Sequence, residues 1–184
     1  MSNLLAVSGS LRARSSNSAL LAAAARLAPA AVRLTPFHGL AALPPFNPDL
    51  DRDGAFAAVE RWRTAVRAAD GLLICTPEYA AGVPGALKNA LDWLVSSGEL
   101  LGKPVAVISA SPTPLGGSKA HESLRLTLAM LDARIVGGAN ELQVPFVSLK
   151  LAADGQIVDA ALAEALRSLL ERLAAAAALA DRAE

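Results

Sequence analysis

Short apolar runs alternate with longer segments of helical period along this chain, the mark of an α/β unit with a parallel sheet. Residues 4–8, 31–34, 72–75 and 105–109 read as strands, and 134–136 as a fifth with a thinner pattern. The run 72–75 is apolar at every position, as a central strand covered on both faces requires. Between the strands, 18–27, 56–69, 85–95 and 120–131 carry helical spacing, and 159–180 forms a terminal helix. Phe56, Val59, Trp62 and Val66 mark one helical face; Leu162, Leu166, Leu169, Leu170 and Leu173 mark another. Pro29 and Asp70-Gly71 are stops, and Asp154-Gly155 is a turn ahead of the last helix. Residues 35–54 hold Pro36, Pro44, Pro45 and Pro48 without periodicity, a long connection of the kind that more often carries function. No repeat and no linker divides the chain, so the expectation is a single domain over 1–184.

Five strands with helices between them favour a doubly wound parallel sheet, three layers α/β/α, and the flavodoxin-like order 2-1-3-4-5 suits that number. Ligands in such sheets lie beyond the carboxyl ends of the strands, which directs attention to the loops after strands one, three and four. Loop one, 8–18, joins a strand to a helix, where amide groups and the helix dipole favour an anion. It offers the hydroxyls of Ser10, Ser15, Ser16 and Ser18, the amide of Asn17 and the guanidinium of Arg12. An ordinary helix cap would need one of these serines. The density of donors favours a phosphate instead. Loop one lacks the Gly-x-Gly-x-x-Gly of dinucleotide folds and the Gly-x-x-x-x-Gly-Lys-Ser/Thr of P-loop hydrolases, and the chain lacks a Gly-x-Ser-x-Gly elbow.

Charge and composition narrow the class further. Lys plus Arg and Asp plus Glu both count 17, and the absence of a basic excess argues against nucleic acid as the main partner. Hydrophobic residues reach 53%, but 41 of the 184 residues are alanine, so the figure reflects small helix formers. The longest apolar run, 173–180, is too short for a membrane span. Cys75 is the only cysteine, which leaves no intrachain disulfide or cysteine zinc cluster, and its apolar strand reads as a buried, inert thiol. His38 and His121 are the only histidines, too few for a multi-histidine metal site. The start of the chain shows no basic region or cleavage signal, and the expectation is a reduced, soluble, cytoplasmic protein.

Loop three is the most specific segment: Pro77, Glu78, Tyr79, then Pro84, Gly85, Leu87, Lys88, Asn89, Ala90, Asp92 and Trp93. With Gly9, Ser10, Leu11, Arg12, Ser15 and Asn17 in loop one, it resembles the NADPH-dependent FMN reductase family, whose relatives include quinone, azo-dye and chromate reductases. The resemblance implies FMN, its phosphate held by Ser10, Arg12, Ser15, Ser16, Asn17 and Ser18. The ring would lie against Pro77, Glu78, Tyr79, Ala80, Gly82 and Val83 and against Ser111, Gly116 and Gly117 of loop four. Backbone N–H groups around 79–83 are the candidates for the ring's polar edge. Hydride would pass from NADPH through flavin N5 to a flavin, quinone or similar small electrophile, with no side chain acting as acid or base. The resemblance also implies a homodimer or homotetramer with loop three and helix 85–95 near the contact. Leu87, Leu91, Trp93, Leu94 and Val95 spread apolar surface around that helix in modest agreement. NADPH over NADH rests on the resemblance alone, because no motif for a 2′-phosphate is present.

Three positions depart from the family pattern. Ala80 replaces a common Asn, and Lys119 and His121 replace part of the usual Arg-Ala-Gln after the paired glycines. These changes bear on ring recognition and on the choice of acceptor. Glu78 reads more readily as an anchor for its loop or a subunit contact than as an acid, and Trp93 as core or interface rather than a stacking residue. Tyr79 fits two roles equally, over the flavin edge or against a neighbouring subunit. A non-catalytic flavin-binding or electron-carrier protein is the alternative function, against which zero net charge argues. A phosphate-binding protein that has lost flavin is kept open by Ala80.

Overall fold

The computed structural model describes residues 1–138 and 142–180. Its parallel sheet runs β2 (Val32–Phe37), β1 (Ser2–Ser8), β3 (Gly71–Thr76), β4 (Pro104–Ala110), β5 (Arg134–Ile135), and β6 (Gln143–Val144) also pairs with β4. The flavodoxin-like order 2-1-3-4-5 follows from these pairings, every one of them parallel. Helices α1 (Ser16–Leu27), α2 (Ala57–Arg67), α3 (Gly85–Asp92), α4 (Ser118–Met130), the short α5 (Val147–Lys150) and α6 (Ala160–Ala180), with short 3-10 turns at Leu40–Ala42 and Pro48–Leu50, complete the element order among the described residues.

Alternation along the strands divides the core in two. Leu4, Ala6, Leu73, Cys75, Ala106 and Ile108 pack with leucines of α1 and α6, among them Leu20, Leu166, Leu170 and Leu173. Leu5, Val7, Leu72, Ile74, Val105 and Val107 pack on the other face with Trp62 of α2, Leu87 and Leu91 of α3, and Leu124 and Leu128 of α4. β3 and β4 are buried along their whole length, as strands covered on both faces must be.

Two features differ from the pattern in the sequence. The fifth strand position is shared: β5 pairs with the first residues of β4, and β6 with the last two, Ser109 and Ala110. The connection expected over 35–54 is shorter and pinned: β2 runs on through Phe37 with Pro36 inside it at the sheet's edge, and Leu40 and Leu43 of the remainder enter the core. The Asn89 side chain accepts from Phe46 N and donates to Pro44 O, and Trp93 Nε1 donates to the same carbonyl at 2.9 Å. Buried Arg63 adds an ion pair to Asp51 at 2.7 Å and donates to Trp93 O. Two residues of the loop-three motif, Asn89 and Trp93, therefore serve as anchors for that connection.

Candidate functional site

Loop one leaves β1 through Gly9, where a Cβ would come within 2.9 Å of Leu87 Cδ2 and 3.2 Å of Thr76 Oγ1. Glycine here lets α3 close against the strand end, which brings loops one and three side by side. Ser15 caps α1, its hydroxyl accepting from Ser18 N at 3.3 Å, and the helix begins at Ser16, two residues before the sequence pattern placed it. The amides of Ser16 and Asn17 sit in the first turn, whose N–H groups have no intrahelical partners. Ser10 and Ser15 are buried, and the Ser10 hydroxyl accepts from Arg12 N at 3.3 Å. Arg12 and Arg14 are exposed and make no ion pair among the described residues.

Two loop-one side chains turn away from a ligand. Asn17 is buried: its Nδ2 donates to Ala110 O at 3.4 Å and its Oδ1 accepts from the Cys75 thiol at 3.1 Å. Its amide thus ties α1 to the ends of β3 and β4, and its backbone N–H is the group left for an anion. The hydroxyl of Ser18 donates to Ser8 Oγ at 2.9 Å, fastening the helix to β1 instead of facing a phosphate. Burial raises the Cys75 thiol well above its ordinary range, which fits an inert hydrogen-bond donor.

Loop three holds a two-residue turn. Tyr79 and Gly82 exchange both backbone hydrogen bonds, at 3.0 and 3.1 Å, around Ala80 (φ 49°) and Ala81 (φ 59°). Position 80 thus demands the left-handed region, which Asn tolerates better than Ala. Pro77 is buried, Gly82 and Val83 are half-buried, and Tyr79 and Ala80 are exposed. Glu78 does not face the cleft; its carboxylate accepts from Lys119 N and Ala120 N at the start of α4, the loop anchor that the sequence favoured.

Loop four is shaped by its own packing. Ser111 is buried, its hydroxyl shared with Thr113 Oγ1 at 2.9 Å and accepting from Thr113 N at 3.1 Å. Gly116 (φ 59°) and Gly117 (φ 80°) are left-handed, and a Cβ on Gly116 would lie 3.0 Å from Pro145 N. That close approach to the chain beside β6 explains Gly116, while Gly117 lies against β4, where a Cβ would come 3.2 Å from Ser109 Cβ.

Loops one and three enclose a cleft of about 390 Å³ lined by Gly9, Leu11, Arg12, Tyr79, Pro84, Gly85 and Ala86. Of the sequence-derived candidates, Arg12 and Tyr79 line it directly; Ser10, Ser15, Ser16, Asn17, Ser18, Pro77, Glu78, Ala80, Gly82 and Val83 belong to the same two loops without lining it, and Ser111, Gly116 and Gly117 lie apart in loop four. Gly9, Leu11, Pro84 and Gly85 are motif positions that the sequence reading did not assign to ligand contact, and Ala86 lies between motif positions; apolar and glycine positions carry no donor signal of their own. A volume of this size is in the ordinary range for a cofactor-sized ligand. The Arg12 guanidinium, which makes no ion pair among the described residues, beside a wall of Leu11, Tyr79, Pro84 and Ala86 suits a molecule with an anionic group and a flat ring.

Comparison with known proteins agrees with that chemistry. The model of the NADPH-dependent FMN reductase family matches residues 2–144. An NAD(P)H-dependent FMN reductase of Pseudomonas aeruginosa is 38% identical over 174 residues, 92% of each chain. A quinone reductase of Escherichia coli K12 is 37% identical over 131 residues, 70% of each chain. Among solved structures, the flavoenzyme NAD(P)H:(acceptor) oxidoreductase FerB of Paracoccus denitrificans superposes with a TM-score of 0.82 at 28% identity, covering 95% of this chain and 98% of its own. The chain belongs to the NADPH-dependent FMN reductase family.

Proposed function

We propose that this chain is an FMN-dependent NAD(P)H oxidoreductase that reduces a flavin, quinone or similar small electrophile. The observation that carries the reading is the cleft between loops one and three, lined by Arg12, whose loop leads on to the Ser15-capped start of α1. Arg12, the Ser10 and Ser15 hydroxyls and the amides of Ser16 and Asn17 would hold the phosphate. The backbone of Tyr79, Ala80, Gly82 and Val83 would meet the ring, with Pro77 buried beneath. FMN, held there, would supply the hydride-transfer chemistry that links NADPH or NADH to the second substrate. No side chain of the cleft needs to act as a general acid or base, and the protein would contribute binding, orientation and exclusion of water.

Both substrates would use one open face in turn, which gives ping-pong kinetics. Among the described residues no helix is long and apolar enough to cross a membrane, and we read the protein as cytoplasmic and as a homodimer or homotetramer. Stopped-flow mixing of the FMN-loaded protein with NADPH or NADH tests the function. Rapid bleaching of the oxidised flavin band is expected. Bound FMN that bleaches no faster than in buffer would instead favour an electron carrier.

A further inference from the structure

One side chain ties loop three to α4. Glu78 Oε2 accepts the N–H of Lys119 at 2.8 Å and of Ala120 at 3.2 Å. Both amides lie in the first turn of α4, which opens on Gly117 with no side-chain cap of its own. The carboxylate therefore supplies from another loop what a local Ser or Asp usually supplies, and it sits at the positive end of the helix dipole. Directly after Glu78 comes the Tyr79–Gly82 turn, with Ala80 and Ala81 both left-handed. Alanine holds that conformation only where its surroundings impose it. Tyr79, Ala80 and Ala81 are exposed, so the constraint comes from the base of the turn: buried Pro77 and Pro84, and the Glu78 clamp.

We propose that Glu78 is a positioning residue for the flavin ring, its carboxylate clamp on α4 fixing the Tyr79–Gly82 turn beside the cleft. The proposal rests on the FMN reading above. Gln at this position can still accept both N–H bonds through its carbonyl oxygen, whereas Ala accepts neither. A plain helix cap would change stability alone; a positioning residue also changes the order of the turn and the affinity for the ring.

Amide exchange in the protein without added flavin is the first measurement. Glu78→Ala speeds exchange at Tyr79 and Gly82, whose N–H groups close the turn, and leaves Ala19 in α1 unchanged; Glu78→Gln restores most of the protection. Titration is the second. Glu78→Ala weakens FMN and riboflavin by the same factor, about tenfold, because the phosphate loop is untouched, while Arg12→Ala weakens FMN alone. Should Glu78→Ala fail to fold, Glu78→Asp, one methylene short, gives the same two readouts. A lower melting temperature with unchanged turn exchange and flavin affinity overturns the proposal. So does a Glu78→Gln variant as impaired as Glu78→Ala. A wild-type protein that binds neither FMN nor riboflavin overturns the FMN reading itself, and the proposal with it.

Discussion

Alanine at positions 80 and 81 sits where glycine or asparagine is at ease, and each left-handed alanine costs roughly 1 kcal/mol. Ala80→Asn and Ala81→Gly should each raise stability by about 0.5–1 kcal/mol, read as a higher melting temperature. Unchanged or lower values would mean that the turn relaxes into another shape in solution. His121 poses a different residue-scale question. It is buried on α4 with neither ring nitrogen hydrogen-bonded, and burial, then the charge of Arg125, lowers its pKa to about 4. In the unfolded chain it titrates near the ordinary value of about 6.5. Between those values the unfolded chain binds more protons, so folding stability falls as pH drops from about 6.5 and levels off below about 4. Denaturant titrations at pH 7 and pH 4.5 should show His121→Leu losing less stability than the wild type over that interval. Equal losses would show that the imidazole finds a partner in solution.

At the scale of elements, α1 is held onto the sheet by Asn17, whose amide reaches Cys75 at the end of β3 and Ala110 at the end of β4. Asn17→Ala should cost about 1–3 kcal/mol, since it leaves a buried carbonyl unpaired and frees the first turn of the helix. Cys75→Ser should keep the donor and most of the stability, while Cys75→Ala should lose part of it without removing activity. Equal melting temperatures for Cys75→Ser and Cys75→Ala would dismiss the thiol as a donor. The sequence displayed the kind of chemistry in these loops because Ser, Asn, Arg and Gly in a strand-to-helix junction are local signals. It did not display which way Asn17, Ser18 and Glu78 turn, because their partners lie 10 to 93 positions away and only the folded sheet brings them near. β6 escaped notice for a plainer reason: two residues are too few to form a period.

Over the whole molecule, apolar surface is sorted differently from the expectation for α3. Leu87, Leu91, Trp93 and Leu94 are buried in the protomer's own core, and of the five apolar residues only Val95 is exposed, at 61%. Leu126 and Met130 of α4 are instead open to solvent, at 66% and 84%. Leu126 lines a groove of about 560 Å³ together with Lys119, Glu122, Arg125 and Ala129, and Met130 follows one turn on along α4. Both signs of charge around an apolar stripe allow the face to meet a copy of itself about a twofold axis. Pairing through this face predicts twice the chain mass of 18.8 kDa for the wild type in light scattering and the single-chain mass for Leu126→Glu combined with Met130→Glu; a wild-type monomer overturns it. An unchanged dimer would return the contact to loop three. The two margins of the sheet bear on the same matter. β2 carries Pro36, which cannot donate to a further strand, and the described residues of the opposite margin form two separate two-residue segments. Among the described residues neither margin offers a continuous ladder on which a foreign strand could grow, which works against edge-to-edge aggregation of this alanine-rich chain.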